Sequence, residues 1–290
     1  MEQEIMAGSP RLLWVGCGKL GAYSCARLLD AGWNVTATRR SQQRLAELPL
    51  GVQGLVLDAL DANSQTALVQ TPWDAVVITL SAASNAEAYR RVYVEGTAAL
   101  LAALQHNPAK PHILFASSTS VYAQSDGSTV DEQSATEPQG YSGRCMLEAE
   151  ALLAASALPA TSIRFSGIYG GGRSNHLLNV LRDGRICPRQ PVHFSNRIHS
   201  ADCAKVFAHL LARAVNGKAL ASLYLACDGA SAALREVMEW LARQQGIDPA
   251  QLRDDYRPGR GGNRRCVPRR LQQEGFHFSY PSFREGFEAV

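Results

Sequence analysis

The chain has 290 residues, 46% of them hydrophobic and 19% charged; it is long enough to bury one large core or two modest ones and unlike a disordered, collagenous or disulfide-knotted polypeptide. Its 29 Lys and Arg against 26 Asp and Glu leave a net charge of +3, too balanced for global charge to point to nucleic acid. No apolar run approaches 18 residues, so no transmembrane helix is expected, and the acidic start MEQEIMAGSP lacks the basic flank and apolar stretch of a secretory signal. The seven cysteines, at 17, 25, 145, 187, 203, 227 and 266, are odd in number, scattered and without a CxxC pair. They read as reduced thiols of a cytoplasmic protein and not as a metal site.

In chain order, Arg11–Val15 (RLLWV) is a short apolar run that stops at a glycine. A helical pattern follows from Leu20 to Asp30, closed by Gly32, and then an alternating strand in WNVTATRR. Further strands are expected at Gly54–Leu57, Ala75–Leu80, Ile113–Ala116, Thr161–Phe165 and Leu223–Ala226, with helices at Ala86–Gln105 and Ser142–Ala157. This alternation predicts an α/β protein, a doubly wound parallel sheet covered by helices on both faces. From about Gly167 the pattern becomes irregular, with glycines, prolines and arginines clustered.

Val15–Ala22 reads VGCGKLGA, so Gly16, Gly18 and Gly21 form GxGxxG. The motif follows an apolar strand and opens a helix at Lys19 and Leu20. There Gly16 permits a tight turn, Gly18 lets backbone approach a pyrophosphate, and Gly21 allows close helix packing against the strand. Free N–H groups at the helix start complement the anion. The expected layout is a Rossmann domain over residues 1–166, its sheet completed by about 204–226, and a smaller, mostly substrate-binding region over 167–290. After the second strand, NAD sites usually place an acid against the ribose 2′-hydroxyl. Here stand Thr38, Arg39 and Arg40. No carboxylate repels a 2′-phosphate and two guanidiniums could receive it, so NADP(H) is the expected coenzyme, with NAD(H) as the alternative if the arginines are merely solvated. Asp58 reads either as a partner of the adenine amino group or as a helix cap.

FASSTSVYA at Phe115–Ala123, YSGRC at Tyr141–Cys145, RFSGIYG at Arg164–Gly170, RIHSADCAKVF at Arg197–Phe207 and LYLACDGAS at Leu223–Ser231 together resemble the extended short-chain dehydrogenase/reductase family of NAD(P)-dependent epimerases and dehydratases. More narrowly, they resemble its YeeZ-like branch. The resemblance covers nearly the whole chain. It implies that Ser118 polarises a substrate oxygen, that Tyr141 exchanges a proton with it, and that hydride moves between the substrate carbon and a nicotinamide. It also implies a homodimer through the helices near Ala86 and Ser142; the apolar face of Ala98–Leu104 fits that use and core packing equally.

The departures from the family pattern carry information. Cys145 stands at the position of the usual lysine, Tyr93 at that of an asparagine, Gly167 at that of a second asparagine, and Ser195 where an arginine often meets a substrate phosphate, with Arg197 two residues on. A free tyrosine has a pKa of about 10, so a phenolate at neutral pH needs about 4 kcal/mol, and a nearby cation lowers a pKa by roughly 1–3. Cys145 supplies no cation. Donating a proton requires no phenolate, so the expected activity favours reduction.

Arg253–Arg270 (RDDYRPGRGGNRRCVPRR) holds seven arginines and one aromatic residue, which suits a solvated loop or an anion-binding loop better than a nucleic-acid surface. Arg173 and Arg197 are further candidates to hold an anionic substrate, His199 reads as a structural histidine, and Asp202 as the cap of a helix near Cys203. Two functions fit: an NADP(H)-dependent oxidoreductase or epimerase-like enzyme on a small carbonyl or sugar-like compound, or a catalytically degraded coenzyme-binding sensor like the NmrA-type regulators. The expected partner is a small molecule, with no nucleic acid and no membrane.

Overall fold

The structure, a computed structural model, describes residues 8–172, 176–258 and 262–288, so Arg173 lies outside the described residues. Its first half alternates β1 (Arg11–Val15), α1 (Lys19–Asp30), β2 (Asn34–Arg39), β3 (Gln53–Val56), α2 (Thr66–Gln70) and β4 (Ala75–Ile78). α3 (Ala86–Tyr89), α4 (Gly96–Leu104) and β5 (His112–Ser118) follow. Next come β6 (Thr129–Val130), α5 (Tyr141–Ala154), β7 (Ala160–Phe165), β8 (Gly167–Tyr169), α6 (His176–Arg182), β9 (Phe194–Ser195), β10 (Arg197–His199), α7 (Ser200–Val215) and β11 (Leu223–Ala226). β12 (Ala232–Ala233), α8 (Leu234–Gln244), β13 (Arg265–Cys266), α9 (Arg269–Gln273) and α10 (Phe283–Glu288) complete the chain.

Seven strands form the parallel central sheet in the order β11-β7-β5-β4-β1-β2-β3, flanked by helices. β1 pairs in parallel with both β2 and β4, Leu13 lying beside Thr36 on one side and Val76 on the other. Leu12, Leu13 and Trp14 of β1 and the whole of β4 are fully buried. A strand covered on both faces must be apolar at every position, so these two read as continuous runs with no alternation. The strand order reverses between β1 and β4. In open α/β sheets the crevice at the carboxyl ends of such a strand pair is where ligands bind, and the glycine turn lies there.

The helix expected over Ala86–Gln105 is divided: between α3 and α4, Arg90–Glu95 is wound as a π-helix, for which the sequence carries no signal. Tyr93 from this segment donates its hydroxyl to the Leu80 carbonyl at 3.1 Å. All seven cysteines are buried and unpaired. Among the described residues, no helix is long and apolar enough to cross a membrane.

The chain divides into two compact units. The first comprises Met1–Val121, Pro138–Arg164 and Cys203–Tyr224; the second comprises Tyr122–Glu137, Phe165–Asp202 and Leu225–Val290. The second has its own core, in which Val180 and Leu181 pack with Val237, Met238, Leu241 and Phe283. The arginine-rich stretch belongs to it and is largely tied down. Arg253 donates to the Asp183 carbonyl and Arg264, 4% exposed, to the Gln124 carbonyl; Arg265 donates to the Gly127 carbonyl and Arg269 pairs with Asp131 at 2.6 Å. Arg253 and Arg269 nevertheless keep more than half of their side chains exposed, as a solvated loop would, whereas Arg264 is buried.

Candidate coenzyme site and active site

β1 delivers Gly16 at φ +82°, where a Cβ would stand 2.7 Å from the Thr79 carbonyl oxygen; only glycine meets both conditions. The turn is held from both neighbouring strands. Thr38 accepts the Gly16 N–H on its hydroxyl (3.0 Å) and the Cys17 N–H on its carbonyl (3.1 Å). On the other side, Trp14 Nε1 donates to Thr79 Oγ1 (2.7 Å), which donates onward to the Gly16 carbonyl (3.0 Å). Gly21 is needed for packing, since a Cβ there would lie 2.7 Å from Trp14 Nε1.

Gly18 differs from both. Its φ of −79° suits any residue, and a Cβ on it would meet no atom of the described residues within 4 Å. Neither backbone nor packing demands glycine there, whereas a ligand lying against the turn does. The first turn of α1 contains no acid, and no side chain caps its N–H groups. These features fit a dinucleotide pyrophosphate. Lys19 is exposed and Leu20 buried at the start of α1.

Arg39 and Arg40 diverge. The Arg39 side chain is 10% exposed and pairs with Glu47 at 3.3 Å, while Arg40 is exposed. Glu47 also binds Arg44 at 3.2 Å, a partner the sequence reading did not include. The exposed Asp58 carboxylate accepts the Leu60 N–H at 3.0 Å, and the capping of the next short helix falls to Asp61.

At the end of β5, Ser118 is half-buried and its Oγ accepts the Ser120 N–H at 3.1 Å. Tyr141 is the first residue of α5. Its hydroxyl is buried and has no hydrogen-bond partner among the described residues, an unmet demand in a folded core. The Tyr89 ring packs edge-on against it with centroids 5.3 Å apart, and Tyr93 packs on Tyr89 at 5.0 Å. Burial, with Tyr89 beside it, pushes the Tyr93 phenol up to about 12.

A residue that the sequence reading passed over brings these elements together. A Cβ on Gly143 would collide with the Ser120 carbonyl and stand 2.6 Å from Pro138 Cβ. The missing side chain lets α5 lie directly on the turn after Ser118, and the signal for it was a glycine inside a helix, where it is costly. A second missed feature is a buried triad: Ser117 Oγ donates to Glu150 at 2.5 Å, and Arg164 grips the same carboxylate through Nη2 (2.6 Å) and Nε (3.0 Å). It fixes the end of β5 beside Ser118.

Cys145, one turn after Tyr141, is 7% exposed, and burial followed by the charge of Glu148 pushes its thiol up. It is neutral at ordinary pH. The cations nearby are engaged, Arg90 bidentately by Glu148 (2.9 Å twice) and Arg144 by the Gln139 carbonyl (2.6 Å).

In the second unit, Arg197 of β10 is 8% exposed and forms no ion pair among the described residues. Burial lowers its guanidinium to about 10, and burial raises Asp228 nearby to about 7. His199 accepts the Ala201 N–H on Nδ1 at 3.2 Å, stacks on Tyr280 at 4.0 Å and packs against Gly170, so burial keeps it neutral. Asp202 is not a cap. α7 begins at Ser200, and the Asp202 carboxylate accepts the N–H groups of Ser279 (2.7 Å) and Tyr280 (2.9 Å), fixing the C-terminal segment of this unit.

Residues 16–214 match the NAD(P)H-binding family. The chain is 30% identical over 281 residues to Protein YeeZ of Escherichia coli strain K12, with 92% of this chain and 95% of that one covered. Among solved structures, a Methylobacillus flagellatus protein classed with the NAD-dependent epimerase/dehydratases superposes with a TM-score of 0.78 at 33% identity, 97% of each chain being covered. WbmG of Bordetella bronchiseptica, in complex with NAD, superposes with a TM-score of 0.81 over 99% of this chain and 94% of its own; at 16% identity this is a likeness of fold.

Proposed function

This chain belongs to the NAD(P)H-binding family, among the extended short-chain dehydrogenase/reductases and alongside YeeZ, and from that premise we propose that it is an NADP(H)-dependent oxidoreductase or epimerase-like enzyme working mainly as a reductase. Its substrate is a small carbonyl or sugar-like compound. When bound, the coenzyme supplies the hydride. The chain's own residues do the rest. The amides after Gly16 and the open face of Gly18 hold the pyrophosphate, Arg40 with Arg39 receives the 2′-phosphate while the buried Thr38 braces the turn, and Asp58 stands toward the adenine. Ser118 donates a hydrogen bond to the substrate oxygen, and Tyr141 delivers a proton to it as negative charge develops.

The observation that carries this reading is the buried Tyr141 hydroxyl with no hydrogen-bond partner among the described residues, on a helix pressed against the serine turn by Gly143. The direction follows from Cys145. A neutral thiol stands where the family's lysine would supply a cation, and donating a proton needs only the O–H, not a phenolate. The second unit supplies the substrate-specific contacts, Arg197 among them, toward an anionic group of the substrate; Arg173 is proposed for the same role from its sequence position alone. Seven unpaired thiols suit a reducing, cytoplasmic setting.

The neutral buried Cys145 also favours a second reading, a coenzyme-binding sensor without turnover. One experiment separates them. The purified protein is titrated with NADPH and NADH and then offered aldehydes, ketones and keto-sugars. We expect NADPH to bind more tightly, Arg40→Ala to weaken it by about tenfold, and Tyr141→Phe to lower turnover by about 10²–10⁴-fold with coenzyme affinity retained. Tight NADPH binding with no Tyr141-dependent oxidation across the panel selects the sensor, and absence of coenzyme binding overturns both.

A further inference from the structure

The carboxylate that β2 lacks at its end is brought back by the segment that follows. After Arg40 the chain enters a 3₁₀ helix over Gln42–Glu47. This helix lies on β3. A Cβ on Gly54 would stand 3.2 Å from Leu45 Cδ2 and 3.3 Å from Leu48 Cδ1, so the two leucines seat against that glycine and fix the approach of Glu47. Through Oε2 the Glu47 carboxylate meets Arg39 Nη2 at 3.3 Å. Arg44 grips it more fully, donating Nε to Oε1 and Nη2 to Oε2, both at 3.2 Å.

Arg39 is the less satisfied of the two cations. Its side chain is 10% exposed against 53% for Arg44, and its Nε is buried with no hydrogen-bond partner among the described residues. A guanidinium carries five N–H donors and is costly to enclose with so little opposite it. Arg39 is also the last residue of β2 and follows Thr38, whose hydroxyl and carbonyl hold the Gly16 and Cys17 amides. That is the strand end at which dinucleotide sites tell a ribose 2′-hydroxyl from a 2′-phosphate.

We propose that Glu47 is a specificity-determining residue of the coenzyme site, which competes with a 2′-phosphate for Arg39 and thereby lowers the affinity for NADP(H) relative to NAD(H). This role rests on the coenzyme reading above. To engage Arg39, a 2′-phosphate must draw the guanidinium away from Glu47. A 2′-hydroxyl makes no such demand and leaves the pair as it stands. Arg44 keeps the exchange feasible, because its two bonds retain Glu47 once Arg39 has left, so the carboxylate is not stranded. The Arg44 hydrogen bond, with the charges of Arg44 and Arg39, holds the Glu47 carboxyl below the usual carboxylate range, and the competitor is ionised at neutral pH. Because Glu47 is half exposed, water and salt keep the effect moderate.

The test reads affinities and does not depend on turnover. Wild type, Glu47→Gln, Arg39→Met and the double variant are titrated by calorimetry with NADPH and NADH, and with the fragments 2′,5′-ADP and 5′-AMP, which differ only by the 2′-phosphate. Glutamine keeps the size of the side chain and removes its charge; Arg39→Gln is the second variant should methionine fail to fold. We expect Glu47→Gln to raise the NADPH-to-NADH affinity ratio by about tenfold, chiefly through tighter NADPH, and the fragment ratio to rise with it. Without Arg39 there is nothing to compete for, so in that background the same substitution should move the ratio by at most about threefold. An unchanged ratio in Glu47→Gln, or an equal rise with and without Arg39, overturns the role of Glu47 and leaves the coenzyme reading standing. Binding of neither coenzyme by the wild type overturns both.

Discussion

Among the buried arginines of the described residues, Arg164 of the first unit and Arg197 of the second are treated in opposite ways. Arg164, on β7 of the first unit, meets Glu150 at 2.6 Å and shares that carboxylate with Ser117. Arg197, on β10 of the second, is equally enclosed, with no ion pair among the described residues and a carboxyl group nearby, Asp228, that burial has raised to about 7. A buried ion costs several kcal/mol unless a well-placed counter-charge offsets it. The first arrangement is complete and reads as scaffold. The second lacks such a counter-charge, which is why Arg197 is proposed above as a contact to an anionic substrate.

The comparison can be broken most forcefully at the completed pair. Glu150→Ala strands the Arg164 charge and should cost about 3–5 kcal/mol of stability, measured by urea denaturation; a loss below about 1 kcal/mol would mean that the triad is not scaffold. Asp228 gives the next effect. Its folded value lies above the unfolded one, so between about pH 4 and pH 7 the folded state binds more protons than the unfolded state, and stability from this group falls as pH rises through that window. By linkage the difference reaches at most about 4 kcal/mol. Relative to wild type, Asp228→Asn should gain stability steadily from pH 4 to pH 7 in paired thermal melts, and parallel curves would contradict the assignment. The smallest effect is expected at Arg197→Met. With no ion pair among the described residues to break, stability should change by about 1–2 kcal/mol in the favourable direction, while the KM of an anionic substrate rises and that of a neutral analogue does not.

Much of the fold was legible in the sequence because buried parallel strands must be continuous apolar runs and their turns must hold glycine. β1 and β11 lie at the residues expected, and β2, β4 and β7 differ from expectation by a residue or two. What stayed hidden depends on encounters between distant residues. That Gly143 presses on the Ser120 carbonyl, that Glu47 occupies Arg39, and that Asp202 receives the amides of Ser279 and Tyr280 are facts of tertiary packing, and no local pattern announces them. The π-wound Arg90–Glu95 segment escaped for a related reason, since helical periodicity does not record one extra residue in a turn. The candidate hydroxyls at 118 and 141 were visible through their resemblance; of the glycine that brings their two elements together only its cost inside a helix was legible, and its contact was not.

The partition of the chain has a practical consequence. The backbone passes from one unit to the other at 121/122, 137/138, 164/165, 202/203 and 224/225, five times in all. Neither half can be obtained by snipping the polypeptide once, and no N-terminal piece emerging during synthesis contains a finished unit until Tyr224 has been made. The protein should therefore unfold as a whole, resist trimming into a minimal binding fragment, and accept grafted substrate specificity only as several short replacements made together.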